Sequence, residues 1–143
     1  MRIHMAYTMG CLSVLQTADA LYHATTATIL WDATTLKAEH LNDVTLSLYE
    51  ESQKVRQSFN LQVAAVASGQ ADAYAKQIVD ALVHASRTYG QYYSIPHDLV
   101  ITKFKNAFQS TLSDRAPVNN CVHRQLEGIF ESLCMSSTAK STL

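Results

Sequence analysis

Of the 143 residues, 48% are hydrophobic and 16% charged, the composition of a folded globular chain, which excludes an extended disordered one. The length suits one domain of ordinary size, and a formal net charge of −1 argues against a segment that binds nucleic acid non-specifically and unaided. The three cysteines, Cys11, Cys121 and Cys134, lack metal or redox spacing and read as free thiols of a reducing compartment.

The chain opens with MRIHMAYTMGCLSVLQTADA. An early basic residue and Ala18-Asp19-Ala20 loosely imitate a secretion signal. Thr8, Gly10, Ser13 and Gln16 break up the apolar centre such a signal needs, so residues 1–23 read as a helical lead-in. No apolar run approaches the roughly 18 residues of a membrane span, and no membrane partner is expected. Thr26 to Asp32 follows as the first strand, β-branched and apolar up to Trp31, with a Thr-rich turn after it. A carboxylate beside such a core segment is costly unless paired, hydrogen-bonded or bound to metal. Asp32 therefore either marks a strand exit, where it could cap a turn, or serves chemistry.

Leu41 to Tyr49, with Leu41, Val44, Leu46 and Leu48 as apolar marks, predicts a second strand. Ser58 to Val66, alternating Phe59, Leu61, Val63 and Ala65, predicts a third. Ala38 to His40 and Glu51 to Gln53 are the turns between them, and short connections imply an antiparallel meander. After Ser68-Gly69-Gln70, Tyr74, Ile78, Ala81, Leu82 and Ala85 recur at helical spacing, with Gly90 as a fitting stop. QYYSIPHD reads as a loop punctuated by Pro96. Ile101 to Leu112 fits a helix through Phe104, Ala107 and Phe108, yet FQSTLSD also alternates as a strand does. Pro117 then opens a last amphipathic helix carrying Val122, Leu126, Ile129, Phe130 and Leu133. Residues 24–135 form the domain, and 136–143 a polar tail. The fold class is α+β: three antiparallel strands plus a fourth beside the first, helices packed on the sheet. That is the opening of an RNase H-like fold, in which a carboxylate on the first strand faces another at the end of the fourth. Asp32 and Asp114 stand at those two places.

ILWDATT, the meander, SGQADAYAKQIVDAL and TLSDRAPVNN together resemble the catalytic region of hAT-like transposase-derived proteins of animal genomes. The likeness spans Thr26 to Glu131, and SDRAPVN is its most specific block. The resemblance implies an RNase H-like nuclease in which acidic residues hold two magnesium ions for DNA strand cleavage and transfer. Magnesium favours hard oxygen ligands, and a metal pair stabilises attacking and leaving oxygens together. By position, Asp32 is the first metal ligand and catalytic acid, and Asp114 the second. The family keeps its third acid on a later helix, a place that neither Glu127 nor Glu131 occupies. ESLCMSSTAKSTL diverges where the family commonly carries a Cys-x-x-His element, and no DNA-binding finger precedes the fold. A truncated, inactive copy is therefore expected, with magnesium weakly held or lost, DNA engaged only with further domains, and an intracellular, nuclear setting.

A second reading is a non-enzymatic interaction module. An open edge on the fourth strand would recruit another strand, giving a homodimer or a bound partner. A third is an unrelated small α+β protein in which the two aspartates lie far apart. Asp114 is equally placed to cap the helix that Pro117 opens, with Arg115 a surface charge. His84 reads as packed or half-exposed on the long helix. Cys121 and His123 point apart and make a poor zinc pair, while Trp31, Tyr92 and Tyr93 read as core and loop aromatics.

Overall fold

The computed structural model describes residues 2–66, 70–113 and 121–128. The elements are α1 (Arg2–His23), β1 (Thr26–Leu36), β2 (Glu39–Glu50), β3 (Val55–Val66), α2 (Ala71–Tyr93), α3 (His97–Ala107) and β4 (Phe108–Leu112), followed by a helix over 121–128, α4. The sheet runs β3-β2-β1-β4. β1 and β2 are antiparallel, as are β2 and β3, while β4 lies parallel to β1. The chain is thus α+β with one mixed sheet, its fourth strand beside the first. The tail 136–143, Asp114, Arg115, Pro117, Ile129, Phe130, Glu131, Leu133 and Cys134 lie outside the described residues.

Alternation decides the layers. Ala27, Ile29 and Trp31 on β1, with Val44, Leu46 and Leu48 on β2, are buried on one face. Onto that face pack Ala18 and Leu21 of α1, Tyr74, Ile78 and Leu82 of α2, Val100 and Phe104 of α3, and Val122 and Leu126 of α4. Among the described residues no helix covers the other face, where Asp32, Thr34, Asp43, Ser58 and Asn60 are exposed. A half-covered antiparallel sheet is stable when its uncovered face is polar.

Several boundaries depart from the sequence reading. β1 does not end at Asp32; it continues through Thr34 and Thr35 to Leu36, paired with β2 throughout. The turn that follows is the pair Lys37 and Ala38, both at positive φ, while Glu39 and His40 already belong to β2. Such two-residue turns match the twist of the flanking strands. In β2 the position facing the core beside Val44 is taken by Asn42 rather than Leu41. Asn42 Nδ2 donates to Gln77 Oε1 at 2.7 Å, and Gln77 Nε2 donates to Gln62 Oε1 at 3.1 Å, tying α2 to β2 and β3.

The clean alternation of β3 is broken by a bulge. Val44 pairs with Gln62 and Thr45 with Asn60, leaving Leu61 as the extra residue. A bulge of one residue reverses the facing of everything beyond it. Phe59 and Leu61 therefore pack against the core, whereas Val63 is 60% exposed. The long helix passes Gly90 without stopping and ends at Tyr93, with Ser94 in the left-handed conformation. Tyr92 and Tyr93 accordingly sit on the last helical turn rather than in a loop. Pro96 precedes α3, which replaces most of the expected loop end. The ambiguous Ile101 to Leu112 is both things in succession, helix to Ala107 and strand from Phe108.

Candidate functional site

The sequence brought forward Asp32 and Asp114, and the described residues fix the first. Asp32 lies within β1, directly opposite Asp43 of β2. Trp31 before it is 3% exposed, buried against the helices, so the next side chain must point to the uncovered face. That resolves the cost of a carboxylate in a core segment: Asp32 is exposed to water and is not a cap at a strand exit. Asp43 accepts hydrogen bonds from Asn60 Nδ2 and, at 3.4 Å, from Thr45 Oγ1. Two carboxylates on opposed positions of an antiparallel pair repel, and the Asn60 amide offsets part of that at Asp43.

The same end of the sheet is bounded by β4. Its register against β1 runs Thr28 to Ser110, Ile29 to Thr111 and Leu30 to Leu112. Thr28 Oγ1 and Ser110 Oγ share a hydrogen bond of 2.9 Å on the uncovered face, so these two look outward together, whereas Phe108, before the register shift, is buried in the core. Asp114 itself lies outside the described residues, two positions beyond Leu112 in sequence.

Behind Asp32, on the covered face, lies a second polar group that the sequence reading passed over. The imidazole of His123 on α4 has Thr111 Oγ1 at Nδ1 and Ser113 Oγ at 3.0 Å from Nε2. Its ring lies against Trp31, centroids 4.5 Å apart. Burial pushes the His123 pKa below its ordinary value, against the opposing influence of Glu127, so the ring is neutral at neutral pH. A neutral imidazole has one donor and one acceptor nitrogen, and two hydroxyls that can each give or take a proton satisfy either tautomer. A serine on a neutral histidine is half of an activated nucleophile. Here the orienting position holds a threonine hydroxyl instead of a carboxylate, and the group serves to clasp α4 to β4. The period-two placement of Thr111 and Ser113 was its only sequence signal.

Among the described residues the other histidines and cysteines are dispersed. His84, expected packed or half-exposed, is exposed on α2, as is Cys121 on α4. His97 Nδ1 meets the buried Ser86 Oγ at 2.9 Å, joining the start of α3 to α2. Asp19 accepts from the hydroxyl of Tyr89 at 3.1 Å, and burial followed by that carboxylate drives the phenol pKa upward. Among the described residues no three His, Cys, Asp or Glu side chains gather as a metal site, and no helix is long and apolar enough to cross a membrane.

Comparison with protein-family models, with curated proteins and with solved structures finds no match.

Proposed function

We propose that this chain carries the sheet of an RNase H-like nuclease of transposase descent, whose ancestral work was metal-dependent cleavage and transfer of DNA strands. The observation that carries the reading is β4 lying parallel beside β1 in the order β3-β2-β1-β4. With Leu30 level with Leu112, the reading requires the same register to run two residues further, bringing Asp114 level with Asp32 on the uncovered face. Two carboxylates so placed can share a magnesium ion, which takes one or two carboxylates and completes its shell with water and substrate phosphate.

Strand cleavage needs more than that pair. Neither Glu127 nor Glu131 stands where the family keeps its third acid, so residues 1–143 by themselves are proposed to hold magnesium weakly and not to cut DNA. With a net charge of −1, DNA would be met through further domains, in a nuclear setting. Paramagnetic broadening by Mn²⁺ in amide spectra tests the reading. Broadening centred on Asp32 and Asp114, and lost in both Asp32→Asn and Asp114→Asn, is expected. Broadening that is diffuse, or indifferent to both substitutions, sinks it.

A second reading, an interaction module, is favoured by β4 itself. This strand of five residues pairs with β1 on one side and has no neighbour on the other among the described residues. Strand addition at that edge would build a homodimer or seat a partner peptide. Manganese broadening confined to the two aspartates belongs to the first reading alone.

A further inference from the structure

The outward side of α1 carries a seam with heptad spacing. Arg2, Met5, Met9, Leu12, Gln16, Asp19 and His23 follow one another at intervals of three and four residues, the pattern that keeps one stripe of a helix facing a partner. The core touches α1 elsewhere, through Val14, Ala18 and Leu21. Along the seam Met5 is 61%, Met9 65% and Leu12 54% exposed. From Met5 to Ala18 the helix has no charged residue, so the exposed methionines and leucine of the seam are set among few groups that favour bulk water.

Past Leu12 the seam descends into a cleft of about 590 Å³ between α1 and the β2–β3 hairpin, where Gln16, Asp19 and His23 face Glu50, Gln53 and Phe59. One end of the stripe is thus apolar with a basic residue in its first turn, and the other is a cleft with two carboxylates. The two ends complement each other, which a two-fold contact between identical surfaces demands: residue i meets j and j meets i.

We infer that the chain pairs with a second copy of itself through α1, the two helices antiparallel and crossing between Gly10 and Cys11. This register matches every seam position from Arg2 to Asp19. Met9 of each copy meets Leu12 of the other, and Met5 meets Gln16 above Phe59. Arg2 comes level with Asp19, at the mouth of the cleft that Glu50 also lines. An antiparallel pair also sets the positive end of each helix dipole beside the carboxylates of its neighbour. The contact is separate from the β4 edge and independent of the nuclease reading.

Sedimentation equilibrium of the full chain, from micromolar to near-millimolar, reads the association directly. The mass should rise to that of two chains. Leu12→Glu, which sets a charge against Met9 of the other copy, should raise the dissociation constant by about tenfold or more with the circular dichroism melt unchanged at dilutions where both chains are monomeric. Arg2→Glu should weaken pairing as well, and Arg2→Glu combined with Glu50→Lys should recover part of it, because one of the two carboxylates facing residue 2 is then replaced by a cation at both ends. A monomer throughout overturns the proposal, as does a dimer indifferent to Leu12→Glu. If the wild-type chain stays monomeric yet floats with phosphatidylcholine vesicles, the seam is a membrane-docking face and the proposal likewise fails.

Discussion

Where α2 passes the turn at Ser94 and Ile95, a β-carbon at Gly90 would lie 2.6 Å from the Ile95 carbonyl oxygen. The Ile95 amide donates to the Gly90 carbonyl at 2.9 Å, so the turn is pinned to the residue it crowds. In an ordinary helix interior Gly→Ala stabilises by up to about 1 kcal/mol. Here the obstructing atom is backbone and cannot swing aside, and overpacking of this kind typically costs about 1–3 kcal/mol. Gly90→Ala should therefore lower stability in urea unfolding, and an increase would show that the turn is free to move. Asn42 is the other residue whose identity is set by its surroundings. It is fully buried, its amide is spent on Gln77, and its Oδ1 has no partner within the described protein. Such a group survives in a core because it fixes how α2 sits on β2 and β3, at some cost in stability.

At the scale of elements, the clasp between α4 and β4 depends on protonation. The folded-state pKa of His123 is depressed by burial, so between that value and the unfolded value of about 6.5 the unfolded chain binds more protons than the folded one. Stability therefore rises with pH through this window and falls as pH drops below about 6.5. In melts between pH 5 and 7.5, the wild-type chain should lose more melting temperature on acidification than His123→Gln, which cannot take the proton. Equal slopes would mean the ring is as easily charged in the fold as out of it. The clasp also shows what a linear reading can find. The existence of the three strands, the long helix and the burial of Ile29 and Trp31 were legible, because apolar residues recur there at strand or helix spacing. The continuation of β1 beyond Asp32 was not, since a charge followed by threonines resembles an exit until the uncovered face is known. Nor was the reversal along β3, where Leu61 bulges and exchanges the roles of Val63 and Gln62. The passage from α3 into β4 carries no Gly or Pro: Ala107 ends the helix and Phe108 begins the strand. Of the site, Asp32 was found by its misfit with its neighbours. His123 was missed because its partners come from a different element.

Viewed whole, the molecule is two layers, a sheet and the helices on one of its faces, which is the least that buries a sheet's apolar side. Among the described residues every large buried apolar side chain belongs to that single interface, and α1 shares in it only from Val14 onward. Residues Met5 to Gly10 are exposed without interruption, and a β-carbon added at Gly10 would touch nothing within 4 Å. Met5 to Gly10 therefore add length to the helix without adding to the core. A chain lacking residues 1–12 should keep the fold and melt within about 4 °C of the full chain, the shift that a loss of about 1 kcal/mol produces in a domain of this size. A larger drop would mean that the projecting turns stabilise the core, either within one chain or by pairing. The two are separable by concentration: support from pairing makes the melting temperature of the full chain rise with protein concentration, whereas support within one chain leaves it fixed. The shortened chain should show no concentration dependence, since the residues that would pair are the ones removed.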